Sequence, residues 1–177
     1  MKTNKVFSVC QLVVFTIFFC VLMSASAVAQ KDSILIYHPE ANAKEELNSA
    51  IAQAKENNKH VLIMVGGNWC RWCRMFEKFI AKHRDENAKV DSSINSGFVF
   101  LHINYSKENK NLEVLSSLSF PQRFGFPVFL VLDAQGTRLH TQNSAYLEEG
   151  EGYSEQKIID FLSHWNPAAM DPALYNK

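Results

Sequence analysis

Apolar and polar positions alternate with two different periods along the chain. Asn42 can cap a helix, and Ala43, Leu47, Ala50, Ile51 and Ala54 then recur on one face, which predicts an amphipathic helix over 43–57. Asn57-Asn58-Lys59 ends it. His60–Val65 (HVLIMV) is a short, almost wholly apolar run, as in a strand covered on both faces. Gly66-Gly67 breaks that run. Trp72, Phe76, Phe79, Ile80 and His83 then follow a helical spacing, which predicts a helix starting at or near Cys70.

The polar stretch 83–96 can hold another short helix with Val90 and Ile94 inward. Phe98–Asn104 (FVFLHIN) reads as a second buried strand, and Tyr105–Leu118 as a charged loop with room for a helix. A third strand is expected at 127–132. Asp133-Ala134-Gln135-Gly136 is a turn, after which Thr137–Thr141 can pair back as a hairpin strand. Ser154 is placed to cap a last helix whose apolar side carries Ile158, Ile159, Leu162 and Trp165. The tail from Asn166, with Pro167 and Pro172, is expected to be irregular.

The early strands alternate with helices, so they are expected to be parallel with right-handed crossovers, and the last two strands to form an antiparallel hairpin. The class is α/β: a mixed sheet of four to five strands with helices on both faces.

The first residues follow a different rule. Lys2 and Lys5 precede a nearly continuous apolar run, Val6–Met23. Small residues follow it, ending Ala27-Val28-Ala29 before Gln30. That order is expected of a secretory signal peptide at 1–29, cleaved near Ala29. An uncleaved anchor is the competing reading, since the run approaches spanning length. A lipid anchor on Cys20 fits poorly, because Ile17-Phe18-Phe19 before it are bulky.

The chain has 177 residues, 47% of them hydrophobic and 20% charged, with 13 Phe against 7 Gly and 5 Pro. This composition suits one folded domain, 30–177, with its core at about 42–165. Loss of Lys2 and Lys5 with the signal leaves a net charge of −2. Nothing in that balance points to nucleic acid or to an anionic membrane as partner, and no stable membrane insertion is expected after cleavage. Periplasmic or secreted localisation follows. Cys10 and Cys20 depart with the signal too, leaving Cys70 and Cys73 as a pair.

Those two cysteines sit in Gly67–Phe76, GNWCRWCRMF. A thiolate is the reactive form of cysteine, and a helix N-terminus favours it. Cys70 is expected to be the exposed, first-attacking sulfur. Cys73, one turn into the helix, is expected to resolve the mixed disulfide. Arg71 and Arg74 add positive charge that would lower the Cys70 pKa. A redox pair following a buried strand is the favoured reading. Two others stand beside it. A zinc site wants four ligands, and His60, His83, His102 and His140 show no ligand spacing, so no metal and no organic cofactor are expected. A purely structural disulfide would close a loop too small to stabilise much.

Two segments, Val61–Cys73 (VLIMVGGNWCRWC) and Gly125–Gly136 (GFPVFLVLDAQG), resemble the thioredoxin-like superfamily, in particular secreted bacterial thioredoxin-fold proteins. The resemblance covers about 42–165 and implies a thioredoxin-like three-layer sandwich. Trp69 matches the residue before the first cysteine of the family's W-C-x-x-C. Pro127 matches its cis proline, which lies against the cysteine pair. The resemblance implies that Phe126 offers its backbone to an incoming peptide strand. It also implies protein thiols and disulfides as partners, and a membrane or periplasmic protein that re-reduces or re-oxidises the pair.

The sequence departs from thioredoxins proper in two ways. Arg71-Trp72 replaces Gly-Pro between the cysteines, and Met64 stands where a buried aspartate assists proton transfer. His102 occupies the place that often supplies a lysine. His102 and Glu77 are candidates for a rebuilt relay, or ordinary packing and surface residues. The departures leave the direction of electron flow open. Trp69 and Trp72 read either as an apolar lip for a partner protein or as core. Glu148, Glu149 and Glu151 read as a solvated loop. The expected function is an exported thiol–disulfide oxidoreductase. The alternative is a peptide-binding, chaperone-like module that keeps the fold without redox turnover.

Overall fold

Asn42 Oδ1 accepts the backbone N–H groups of Lys44 and Glu45 at 3.2 and 3.3 Å, and helix α1 (Ala43–Glu56) begins there. The computed structural model describes residues 35–85 and 89–176. The expected signal peptide at 1–29, with its cleavage near Ala29, lies outside the described residues, as does the side chain of His83.

After α1 come β1 (His60–Gly66), α2 (Arg71–Asp85), α3 (Lys89–Gly97), β2 (Phe98–Asn104) and the short α4 (Leu112–Ser117). A 3-10 turn at Pro121–Phe124 leads into β3 (Val128–Leu132). Then follow β4 (Arg138–Asn143), a small ribbon of β5 (Glu148–Glu149) and β6 (Gly152–Tyr153), and α5 (Glu155–Trp165). The four-stranded sheet has the order β2-β1-β3-β4.

The two central strands explain the apolar runs, since every residue of β1 and β3 is buried. Their alternate residues face opposite layers. Leu62, Met64, Phe129 and Val131 join a core with Phe76, Ile80, Val90, Ile94, Ile158 and Leu162 from α2, α3 and α5. Val61, Ile63, Val65, Val128, Leu130 and Leu132 join a second core with Leu47, Ala50, Val114 and Leu115 from α1 and α4. Helices therefore cover both faces, and the three-layer α/β arrangement is that of the thioredoxin-like class.

Three features differ from the expected pattern. The parallel rule holds for β1 and β2, but β3 runs antiparallel to β1. The cause lies in the connection. Gly66 pairs with Asn104 and Val65 with Val128, so residues 105–127 leave and re-enter the sheet at one end, and the chain must turn back. The tail is not irregular: Asn166 and Asp171 accept the N–H groups of Ala169 and Ala173, both at 2.9 Å, and set up two 3-10 turns with proline at their start. Ser154 does precede α5, but its side chain makes no capping bond.

The ordered fold also reaches upstream of residue 42. Tyr37 is 1% exposed and belongs to the core that contains the cysteines.

Candidate active site

Strand β1 ends at Gly66, and the loop Gly67–Trp69 delivers Cys70 to the start of α2. Cys70 N donates to Gly67 O at 2.9 Å, and Arg74 N to Cys70 O at 3.2 Å, so Cys70 stands where a helix cap stands. Its Sγ accepts the backbone N–H of Cys73 at 3.1 Å. Cys70 and Cys73 form a disulfide, with their Cα atoms 5.3 Å apart. The sulfur of Cys70 thus accepts a first-turn N–H and lies at the positive end of the α2 dipole, an arrangement that stabilises a thiolate once the bond opens.

Cys70 was expected to be exposed, and it is not. It is 4% exposed and Cys73 not at all. Three aromatic rings lie together at the same end of the sheet. The ring of Phe126 packs against the core holding both cysteines, Trp69 meets it edge-on at 5.3 Å, and Tyr105 stacks on it at 4.9 Å. What remains of the expected order is the difference between the sulfurs: Cys70 is the outer of the two.

Trp69 is 55% exposed, while its Nε1 donates to Tyr105 O at 2.8 Å. Gly67 makes that fold-back possible, since a Cβ there would overlap the indole and lie 2.9 Å from Tyr105 O. The Phe126–Pro127 peptide bond is cis, and Pro127 is buried. Trp69, Phe126, Pro127 and the cysteine pair are therefore assembled at one end of the sheet. Trp72 turns to the core side: it is half-buried, meets Tyr153 edge-on at 5.7 Å, and its carbonyl accepts from the Tyr153 hydroxyl at 3.3 Å.

Arg71 and Arg74 are exposed on the first turn of α2. The Arg74 guanidinium donates to Asn68 O at 2.6 Å, which ties the helix back to the cysteine loop. Met64 is fully buried beside His102 in the β1–β2 register. His102 Nε2 pairs with Glu77 Oε1 at 2.7 Å, both side chains about a quarter exposed. His60 bonds Trp165 O, and His140 stacks on Trp165, so these two histidines serve packing. Among the described residues no three His, Cys, Asp or Glu side chains converge as a metal site. Glu148 and Glu149 form β5 rather than a loop, and Glu148 accepts from the Ser144 hydroxyl at 3.0 Å.

Two residues of the site went unread in the sequence. Asn68 holds the segment before α1 through its side chain, bonding Ile36 N, Tyr37 N and Tyr37 O. Tyr37 places its hydroxyl beside Cys73 (a Cβ on Gly66 would overlap the Cys73 sulfur and sit 2.6 Å from the Tyr37 oxygen). The one sequence signal for Asn68 was its place in the loop before Cys70.

Comparison with known proteins agrees with this architecture. A family model described as thioredoxin-like matches residues 42–134. The chain is similar to the thiol:disulfide interchange protein DsbD of Vibrio cholerae serotype O1, with 33% identity over 92 residues. That match takes in 51% of this chain but 14% of the relative, so the chain spans a small part of that protein's length. Among solved structures it is similar to a disulphide isomerase from Xylella fastidiosa Temecula1, with 26% identity and a TM-score of 0.62. That match covers 73% of this chain and 95% of the other.

Proposed function

The chain belongs to the thioredoxin-like family, and from that membership we propose that it is an exported thiol–disulfide oxidoreductase acting on protein thiols and disulfides through Cys70 and Cys73. The observation that carries the reading is the Cys70 sulfur accepting the Cys73 N–H at the start of α2, with the cis Phe126–Pro127 bond at the same end of the sheet. The names of the Vibrio and Xylella proteins, one an interchange protein and one an isomerase, lend it support.

In the reducing direction, the Cys70 thiolate attacks one sulfur of a substrate disulfide. The other substrate sulfur leaves with the electron pair and takes up a proton. Cys73, having lost its proton, then attacks the Cys70 sulfur, closes the internal disulfide and releases the second substrate thiol. The oxidising direction is the reverse, beginning with a substrate thiolate at Cys70. Arg71 and Arg74 raise the local positive potential and favour the Cys70 thiolate. Trp69, Phe126 and Pro127 orient the partner chain, the half-buried Phe126 supplying backbone for a strand-like contact. Electrons come from or go to another protein, a membrane or periplasmic redox partner, so the reaction uses no organic cofactor or metal. Residues 1–29 direct export and are removed near Ala29, which places the protein in the periplasm or outside the cell. No helix among the described residues is long and apolar enough to cross a membrane.

The test is equilibration of the mature protein against thiol buffers, with turnover of a protein disulfide measured alongside. A reversible two-electron transition is expected, and turnover is expected to vanish in Cys70→Ser and Cys73→Ser. A potential near roughly −270 mV marks a reductant, and one near roughly −120 mV an oxidant. If the double serine variant keeps full activity on unfolded protein, the site is a peptide-binding, chaperone-like module instead.

A further inference from the structure

The Tyr37 side chain is buried next to the resolving cysteine with nothing to bond. It is 1% exposed, and its hydroxyl has no hydrogen-bond partner among the described residues. Buried polar groups are paired in the great majority of native structures, so an orphan invites a reason. Its surroundings supply one. The Tyr37 oxygen and the Cys73 sulfur both crowd Gly66: a Cβ there would come within 2.6 Å of the oxygen and overlap the sulfur, which makes the two atoms near neighbours. While the disulfide is closed, that sulfur carries no charge and takes no bond from the Tyr37 hydroxyl. Once the bond opens, it becomes a thiol or a thiolate and can accept a hydrogen bond.

We propose that the Tyr37 hydroxyl is the hydrogen-bond donor that stabilises the Cys73 sulfur whenever the Cys70–Cys73 bond is open. This rests on the redox reading of the pair given above. When a substrate thiolate attacks Cys70, the Cys70–Cys73 bond breaks, and its electron pair leaves on Cys73. The new thiolate is fully enclosed, and Met64 places no acid or base at that point of β1. The Tyr37 O–H supplies the missing dipole. In the reverse step the same bond holds the Cys73 thiolate ready to attack Cys70, and the proton lost from Cys73 ends on the departing substrate thiol.

The hydroxyl donates without giving up its proton. Burial, then the nearby Glu77 carboxylate and Tyr153, hold its pKa well above the ordinary tyrosine value. Glu77 is itself paired with His102, whose ring meets Tyr37 edge-on at 5.6 Å. The ring is held in place from the backbone by Asn68 on either side of the Tyr37 residue. Tyr37 therefore stands ready for a bond that only the open state makes.

The test compares the wild-type protein with Tyr37→Phe in two measurements. Loss of a donor found only in the reduced state shifts the glutathione equilibrium toward the disulfide by about tenfold, a fall of about 30 mV. In a Cys70→Ser background, the thiolate absorbance of Cys73 appears at higher pH. A merely structural tyrosine would weaken both redox forms alike and move neither quantity. Equal equilibria and equal thiolate onsets, with both proteins titrating reversibly, overturn the proposal. If the wild type itself does not titrate, the redox reading fails first. Should Tyr37→Phe not fold, 3,5-difluorotyrosine at position 37 keeps the shape and strengthens the donor. It is expected to move the equilibrium the opposite way, and no movement again overturns the proposal.

Discussion

Asn68 grips Tyr37 by both of its backbone groups: Oδ1 accepts from Tyr37 N at 3.1 Å, and Nδ2 donates to Tyr37 O at 2.7 Å. The same Oδ1 accepts from Ile36 N at 3.0 Å, so one carboxamide does what a neighbouring strand would do. Because Asn68 lies two residues before Cys70, the cysteine loop and the segment ahead of α1 are held as one piece. Arg74 completes the clamp from the helix side by donating to Asn68 O.

Asn68→Ala removes the partner of three backbone groups at once. A net hydrogen bond contributes about 1 kcal/mol, and a buried group left unmatched costs about 1–3 kcal/mol. The expected loss is about 2–4 kcal/mol in urea unfolding of the oxidised protein. Asn68→Asp keeps the acceptor and loses only the donor, so it should fall between the two. An unchanged midpoint in Asn68→Ala would mean the clamp is a passive contact.

Gly66 is the close-approach point of the site. A Cβ there would overlap the Cys73 sulfur and come within 2.6 Å of the Tyr37 oxygen, while the residue is held in β1 opposite Asn104. Overpacking of this kind costs about 1–3 kcal/mol. Gly66→Ala is therefore expected to lower the melting temperature of the oxidised form more than that of the reduced form, since the open sulfur can move aside. Calorimetry of both forms decides it: equal losses would place the crowding on Tyr37 alone.

The elements that the sequence revealed are those whose signal is local. The apolar runs His60–Val65 and Phe98–Asn104 became strands, and the helical spacing of Trp72, Phe76, Phe79 and Ile80 became α2. The match of Gly125–Gly136 to a known motif located Pro127. What stayed hidden depends on contacts between distant residues. Asn68 and Tyr37 lie 31 positions apart, and neither type in isolation suggests a clamp. The contacts of Trp69 and Tyr105 with Phe126 bring together three separate segments of the chain. The direction of β3 depends on where residues 105–127 rejoin the sheet, which periodicity does not encode.

His60 offers a control that separates the fold from the site. It is 7% exposed, and its Nδ1 lies 2.7 Å from Trp165 O at the far end of β1 from the cysteines. A carbonyl only accepts, so the proton sits on Nδ1. His60→Phe keeps an aromatic ring against Phe98 and strands the Trp165 carbonyl, at a cost of about 1–3 kcal/mol. The reduction potential is expected to stay put. A variant that unfolds earlier and also shifts the potential would show that α5 and the cysteine loop are coupled.

Trp69 tests whether the aromatic rim recognises protein or merely shields sulfur. It is more than half exposed, yet its indole is fixed by Tyr105 O and by the edge contact with Phe126. A rigid, exposed aromatic beside a reactive group is the kind of residue that dominates contact with a partner chain. Removing it in Trp69→Ala takes away contact area that only a large substrate uses. The expected result is a fall of about tenfold in kcat/KM for a protein disulfide. For a small disulfide such as oxidised glutathione, the fall should stay within about twofold. The potential should not move, because the Cys70 sulfur keeps its bond to Cys73 N. If both substrates slow by the same factor, Trp69 acts on the sulfur itself, and the lip is not a recognition surface.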